Sequence, residues 1–207
     1  MIRLQNLHHS FATTTIDYPD WEIEDGGQAL ILGNSGSGKT TLLHLVTGLL
    51  QPTKGIIELN GFDLAKMTSS KLDKFRGKNI GVVFQKPHLI RSISVAQNIR
   101  LPGHFIGKKI TTARLNAVAS SLGISELLGR KAHELSEGQA QRVSIARAVI
   151  HEPSLLAADE PTASLDDENC DRVIKLLQTQ AQRCSATLLI ATHDHRVKDK
   201  FKNRLEL

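Results

Sequence analysis

The sequence predicts an α/β domain built on a largely parallel sheet, with a small antiparallel β subdomain near its N-terminus and an inserted helical subdomain. Three observations predict it. Four short aliphatic runs, "ALILG", "IGVVF", "LLAAD" and "TLLIAT", are bounded by Gly, Ser or Asp, as strands buried on both faces of a sheet are. Longer stretches with helical spacing alternate with them. Residues 1–60 depart from this pattern and hold shorter, half-exposed strand patterns.

Along the chain, "IRLQNLHHSF", "DWEIED" and "GIIELNG" read as those half-exposed strands, and Asn60-Gly61 reads as a hairpin turn. The strand "ALIL" is followed by the helix "KTTLLHLVTGLL", and "IGVVF" is the next core strand. Residues 86–150 contain no convincing strand but two clear helices, "TARLNAVASSLGI" and "GQAQRVSIARAVI". They read as a helical subdomain inserted between two core strands. "LLAAD", the helix "DENCDRVIKLLQTQ" and "TLLIAT" return the chain to the sheet. The expected division is therefore a core with its β subdomain over 1–85 and 151–207, and a helical subdomain over 86–150. No internal repeat, low-complexity segment or heptad run interrupts it.

With 207 residues the chain suffices for one well-buried domain with a subdomain. Charged residues at 23% and hydrophobic residues at 40% are ordinary for a soluble globular protein, which excludes global disorder. Aromatics at 4% leave the core to Leu, Ile, Val and Ala. The formal charge of +5 suits a solvated basic surface, or attraction to nucleotide phosphates, nucleic acid or an anionic membrane; charge does not choose among these. Cys170 and Cys184 make neither a disulfide framework nor a zinc pattern, and a reducing cytoplasm is expected. The N-terminus lacks the apolar region of a secretion signal. No apolar run approaches the roughly 18 residues of a spanning helix.

"GNSGSGKT", comprising Gly33, Asn34, Ser35, Gly36, Ser37, Gly38, Lys39 and Thr40, matches the phosphate-loop pattern G-x-x-x-x-G-K-[ST] between a strand and a helix. The fold class is accordingly that of a P-loop NTPase core. Its glycines let successive backbone N–H groups curl around phosphate oxygens, with the helix N-terminus adding partial positive charge. Lys39 would reach the β- and γ-phosphates and Thr40 would ligate Mg²⁺, with Thr41 completing the nucleotide-binding run. A Gly/Ser-rich turn before a helix is the bland alternative. "SLLAADEP" ends a buried strand on two carboxylates at the sheet edge where such folds bind ligands. Asp159 would hold Mg²⁺ and Glu160 would polarise the attacking water; alternatively Asp159 caps the next segment and Glu160 is solvated.

With "VVFQ", "LSEGQAQR", "LLAADEPTASLD" and "ATHD" following in order, the chain resembles the ATP-binding cassette (ABC) ATPases over essentially its whole length. "FRGKNIGVVFQKPHLIRSISVAQNIRLP" is similar to the branch serving lipoprotein release, macrolide-type export and cell division. The resemblance implies that Gln85 senses the γ-phosphate and Mg²⁺ and links core to helical subdomain. It implies that Ser164, Leu165 and Asp166 form the loop crossing to a partner subunit, and that His193 is the switch histidine beside Glu160. Phe11 stands where the family often has a Tyr stacked on adenine; a core aromatic is its alternative.

"LSEGQ", comprising Leu135, Ser136, Glu137, Gly138 and Gln139, has two compatible readings. Ser136 and Gln139 fit a capping box. By resemblance, the same helix start completes the ATP site of a second copy of the chain, with Gly138 allowing close phosphate approach. Glu137 replaces the commoner Gly. It is expected to point outward, where it gains roughly 0.3–1 kcal/mol from the helix dipole, because a desolvated carboxylate facing a γ-phosphate would cost several times that. The resemblance implies a Mg²⁺-dependent ATPase subunit that binds two ATP between two copies. It would be peripheral on the inner membrane face through a transmembrane permease subunit, with Pro87 to Arg91 as part of the docking surface. A soluble ABC-type ATPase acting on DNA or the ribosome is the other reading, although no nucleic-acid partner is expected in so short a chain.

Overall fold

A computed structural model describes residues 1–11, 14–163 and 165–207. Ten strands and six α-helices form two sheets and a helical layer among the described residues. The first sheet is antiparallel. β1 (Ile2–Ser10) is its centre, flanked by β2 (Thr15–Tyr18), β3 (Trp21–Ile23) and β5 (Lys54–Leu59), with β6 (Phe62–Asp63) at the edge. Asn60 and Gly61 both have positive φ, 53° and 78°, as a two-residue type I′ hairpin requires between Leu59 and its partner Phe62.

The second sheet is parallel. Its strands are β4 (Gln28–Leu32), β7 (Ile80–Val83), β8 (Leu155–Asp159), β9 (Thr187–Thr192) and β10 (Asn203–Glu206), in the spatial order β10-β4-β9-β8-β7. Side chains alternate across it. Leu30, Leu32, Leu156, Ala158, Leu188 and Ile190 join one core cluster, and Ala29, Ile31, Leu155, Ala157, Leu189 and Ala191 the other. That period of two, with both faces covered, is why these strands read as continuous aliphatic runs.

α1 (Lys39–Val46) packs in the cluster shared with the antiparallel sheet. It is shorter than "KTTLLHLVTGLL" suggests, because Gly48 turns left-handed at φ 66° and Leu49 and Leu50 both donate to the His44 carbonyl. α2 (Ser69–Asn79), β2 and β10 are not evident in the sequence pattern. α2 buries only Leu72 and so shows little apolar periodicity, while the two strands are short and half-exposed.

The helical layer comprises α3 (Val95–Phe105), α4 (Thr112–Ser121) and α5 (Glu137–Val149), and α6 (Asp167–Cys184) packs beside α5. The start of α5 belongs to this layer, but its end lies on the sheet. A Cβ at Gly81 of β7 would sit 2.1 Å from the Ala148 carbonyl oxygen, so only glycine permits this approach. Arg114 of α4 donates to the carbonyls of Val149 and Ile150, satisfying the end of α5.

Gly81→Ala forces β7 and α5 apart. It should destabilise the fold by roughly 1–3 kcal/mol, read as a thermal midpoint lowered by about 2–4 °C for each kcal/mol. An unchanged melting curve would show that the contact is not constraining.

Candidate active site at the parallel sheet edge

Because β9 lies between β4 and β8, the segments leaving three adjacent strands meet at one edge. Leu32 is paired with Thr192, and Asp159 with Ala191. The loop after β4 carries Gly33–Lys39, the exit of β8 carries Asp159 and Glu160, and the exit of β9 carries Thr192 and His193.

The phosphate loop is formed as the pattern predicts. Gly38 has φ 97°, and a Cβ there would stand 3.0 Å from the Tyr18 hydroxyl, so the position needs glycine twice over. Tyr18 of β2 donates to the Gly38 carbonyl, tying the loop to the antiparallel sheet. Burial pushes the Tyr18 phenol up to about 12, with the Thr41 hydroxyl opposing in part. It therefore remains a donor through the physiological range. Ser37 donates its N–H to the Asn34 carbonyl, while its hydroxyl is buried without a partner. Ser35 and Gly36 form the exposed turn between them.

Lys39 is only 5% exposed and its Nζ donates to the Asn34 carbonyl at 2.7 Å. Its charge faces Glu160 at 3.8 Å, a longer range than a hydrogen bond. A buried ammonium held this way has donors to spare. An anion at about 4 Å would gain roughly 4 kcal/mol at the effective dielectric of a protein surface.

Thr40 donates its hydroxyl to Asp159 Oδ1 at 3.1 Å, placing the two expected Mg²⁺ ligands together. Burial pushes the Asp159 carboxyl up, against the Thr40 hydrogen bond that pulls it down; a cation there would relieve that cost. The orphaned Ser37 hydroxyl, the under-used Lys39 and the Thr40–Asp159 pair together suit a nucleotide phosphate with its metal. Mg²⁺ when bound neutralises charge developing on the phosphate oxygens.

Glu160 occupies the left-handed region at φ 46°, a conformation costing of order 1–3 kcal/mol that its surroundings must hold. They do so with several bonds. Its N–H donates to the Ala191 carbonyl, Thr192 Oγ1 donates to Oε2 at 2.8 Å, and His193 N–H reaches the same oxygen. The His193 ring Nδ1 lies 3.0 Å from Oε1. Lys39, Thr40, Asp159, Glu160 and His193 are thus gathered in one cluster.

The other predicted residues surround it. Gln85 is exposed just beyond β7, one strand over. Phe11 is 48% exposed at the end of β1 and packs edge-on against His9, so it is not a core aromatic. Ser136 caps α5 by accepting from Gln139 N–H, while Gln139 Oε1 accepts from Ser136 N–H; the capping box is real. Leu135 is half-buried before it. Glu137 is exposed in the first turn, and nothing stands within 4 Å of a Cβ at Gly138. Of these, Gln85, Glu137 and Gly138 border a groove of about 550 Å³ whose lining also includes Gln141, Glu160 and Leu165. Asp166 caps α6 through Asn169 N–H, and Ser164 lies outside the described residues.

Sequence reasoning missed the supports. Gln141 donates to the Pro161 carbonyl at 2.6 Å, and Arg147 donates to the carbonyls of Pro87 and His88. Gln141 lies within the quoted signature stretch and Thr192 and Asp194 within "ATHD", which was the available signal. Tyr18 and Arg196 had none.

A phosphate loop, a Thr–Asp pair suited to Mg²⁺ and a held carboxylate on a parallel sheet define a phosphate-loop nucleotide hydrolase. The family model for ABC transporters matches residues 16–163, and this chain belongs to that family as its ATP-binding, Mg²⁺-dependent ATP-hydrolysing cassette. It is 35% identical over 201 residues to the bacitracin export ATP-binding protein BceA of Halalkalibacterium halodurans, covering 94% of this chain and 79% of that one. It is 39% identical over 189 residues to the lipoprotein-releasing system ATP-binding protein LolD of Blochmanniella floridana, covering 90% and 80%. The dimeric bacterial cassette MJ0796 superposes with a TM-score of 0.88 at 28% identity, over 100% of this chain and 94% of that one. A post-hydrolysis dimer of MJ0796 bound to ADP and Pi matches equally.

Lys39→Ala removes the buried ammonium from the loop. Binding of a fluorescent ATP analogue should be lost while the thermal midpoint is kept; retained binding would refute the role of Lys39.

Proposed function

We propose that two copies of this chain enclose two ATP molecules head to tail, each held by one copy's phosphate loop and the other's "LSEGQ". The observation that carries the reading is the split between two half-sites. One has Lys39, Thr40, Asp159, Glu160 and His193 clustered beside the phosphate loop. The other is the helix start capped by Ser136, whose Glu137 and Gly138 line an open groove that includes no described residue of Gly33–Thr40 and meets the first half-site only at Glu160. The free N–H groups and unobstructed Gly138 of the second suit a phosphate supplied by a partner.

In this reading Lys39 holds the transferred phosphate and Glu160 orients the attacking water and takes its proton. Thr192 and His193 keep the Glu160 carboxylate aimed, and Gln85 watches the site from just beyond β7. Phe11 offers an exposed ring for the adenine face. Leu165 and Asp166 meet the second copy across the dimer axis. Glu137, exposed in the first turn beside Gly138, favours the helix dipole.

The engine acts on a transmembrane permease subunit, which keeps the cassette peripheral on the cytoplasmic face of the membrane. No helix among the described residues is long and apolar enough to cross a membrane. Residues 86–150 act as the helical subdomain that moves against the core. A groove of about 640 Å³, lined by Leu49, Gly77, Phe84, Leu101, Phe105 and Arg147 among others, suits a cytoplasmic helix of that partner. Arg147 reaches from this groove to the carbonyls of Pro87 and His88, so pressure on the groove bears on the segment after Gln85. The Pro87 to Arg91 segment is the adjoining edge of the docking surface. Relatives named for lipoprotein release and bacitracin export support this branch of the family.

Glu160→Gln should keep ATP, stall hydrolysis and run as a stable dimer on size exclusion only when ATP is present; normal turnover would refute Glu160 as the base. Phe105 is 79% exposed, so Phe105→Glu should fold normally. It should abolish transport with the partner while the ATPase of the isolated chain stays at the parent level; unaffected transport would exclude the groove.

A further inference from the structure

Asp194 and Arg196 sit just past the cluster that handles the phosphate, outside every role given above. Asp194 is nearly buried, and its carboxylate takes a two-point grip from Arg196: Nε to Oδ1 and Nη2 to Oδ2, both 2.8 Å. Thr162, just beyond Glu160, donates its hydroxyl to the same Oδ2. The Asp194 N–H donates to Thr192 Oγ1, the hydroxyl that holds Glu160. Arg196 then continues outward. Its Nη2 also donates to the Leu165 carbonyl at 3.1 Å, and Nη1 to Asp167 at the start of α6.

A continuous path of hydrogen bonds therefore runs from the Glu160 carboxylate through Thr192, Asp194 and Arg196 to the Leu165 backbone. Its parts differ in strength. The Asp167 contact is an exposed ion pair of small value. The Asp194 fork is charge-assisted at a nearly buried carboxylate, and the Leu165 carbonyl has no competing donor among the described hydrogen bonds. Only a planar guanidinium can serve Asp194 twice and Leu165 and Asp167 besides; a lysine has one nitrogen.

We propose that Arg196 is a positioning residue that couples Glu160 and His193 to the Leu165–Asp166 loop, so that seating that loop against a second copy sets the aim of the catalytic carboxylate. This rests on the ATP-dimer reading above. Arg196 touches neither nucleotide nor water; it acts through Asp194 and the Leu165 carbonyl. Through it, any displacement of that loop leaves Asp194, and with it the Thr192 hydroxyl, free to shift.

The test uses Arg196→Ala and Arg196→Lys, each alone and combined with Glu160→Gln. Hydrogen exchange on the isolated chain reads the clamp: Arg196→Ala should raise exchange at Leu165 and Asp166 but leave residues 33–40 as protected as in the parent. Steady-state ATPase should show kcat lowered by about ten- to a hundred-fold, the scale of a misplaced catalytic group, with KM for ATP unchanged. Glu160→Gln/Arg196→Ala should form far less ATP-dependent dimer than Glu160→Gln alone. Arg196→Lys, which keeps the Asp194 ion pair without spanning to Leu165, should restore the thermal midpoint but not kcat. Full kcat in Arg196→Ala, or rescue of kcat by lysine in step with stability, overturns the coupling and leaves a structural ion pair. If Glu160→Gln itself forms no ATP dimer, the dimer reading fails and the proposal with it. If that dimer forms and Arg196→Ala does not weaken it, Arg196 alone is refuted.

Discussion

The placement of β9 between β4 and β8 is the constraint from which the rest of the site follows. A parallel sheet aligns strand exits on one edge, and this order brings the phosphate loop, Asp159–Glu160 and Thr192–His193 together there. The Ala191 carbonyl accepts the Glu160 N–H, so the strained backbone of Glu160 is held by the neighbouring strand. Thr192, two-sided in its hydrogen bonding, then carries the arrangement from Glu160 to Asp194. Each of these contacts depends on the register of β8 and β9, in which Asp159 pairs with Ala191.

Charge is left unbalanced at this edge in a way that suits its ligand. Lys39 is almost fully buried with a backbone carbonyl as its hydrogen-bonded partner, and the Ser37 hydroxyl has none. Asp159 is raised by burial and eased only by Thr40 and nearby charges. Buried polar groups of this kind are normally satisfied, so their gathering at the phosphate loop and the end of β8 suits the ATP and Mg²⁺ of this family of cassettes. The Asp194–Arg196 pair behind them is the opposite case. There the guanidinium holds the Asp194 carboxyl well below the usual carboxylate range, as a fixed structural ion pair does.

Helix α5 joins this edge to the helical layer by three contacts of different kinds. Gly81 lets its C-terminal end lie directly on β7, Gln141 holds the Pro161 carbonyl just after Glu160, and Arg147 holds the chain after Gln85. The signature at its N-terminus is therefore not an isolated cap. Any rotation of the helical layer must be felt at Pro161 and Pro87, which line the same groove as Glu137 and Gly138.

The phosphate loop, the two carboxylates, the capping box of "LSEGQ" and the alternation of buried strands with helices are all legible in the chain's residue order. These are local: Gly38 must be left-handed and Ser136 must cap whatever lies elsewhere, and a strand covered on both faces is aliphatic throughout. Residue order did not reveal α2, whose only buried residue is Leu72, nor the early end of α1, where one glycine outweighs the apolar pattern. Tertiary structure alone decided the strand order, and with it that Tyr18 anchors Gly38, that Thr192 aims Glu160 and that Arg196 reaches Leu165. Such contacts join residues 20 to 32 positions apart through side chains with no characteristic spacing. Their geometry exists only once the sheet has brought the strand ends together.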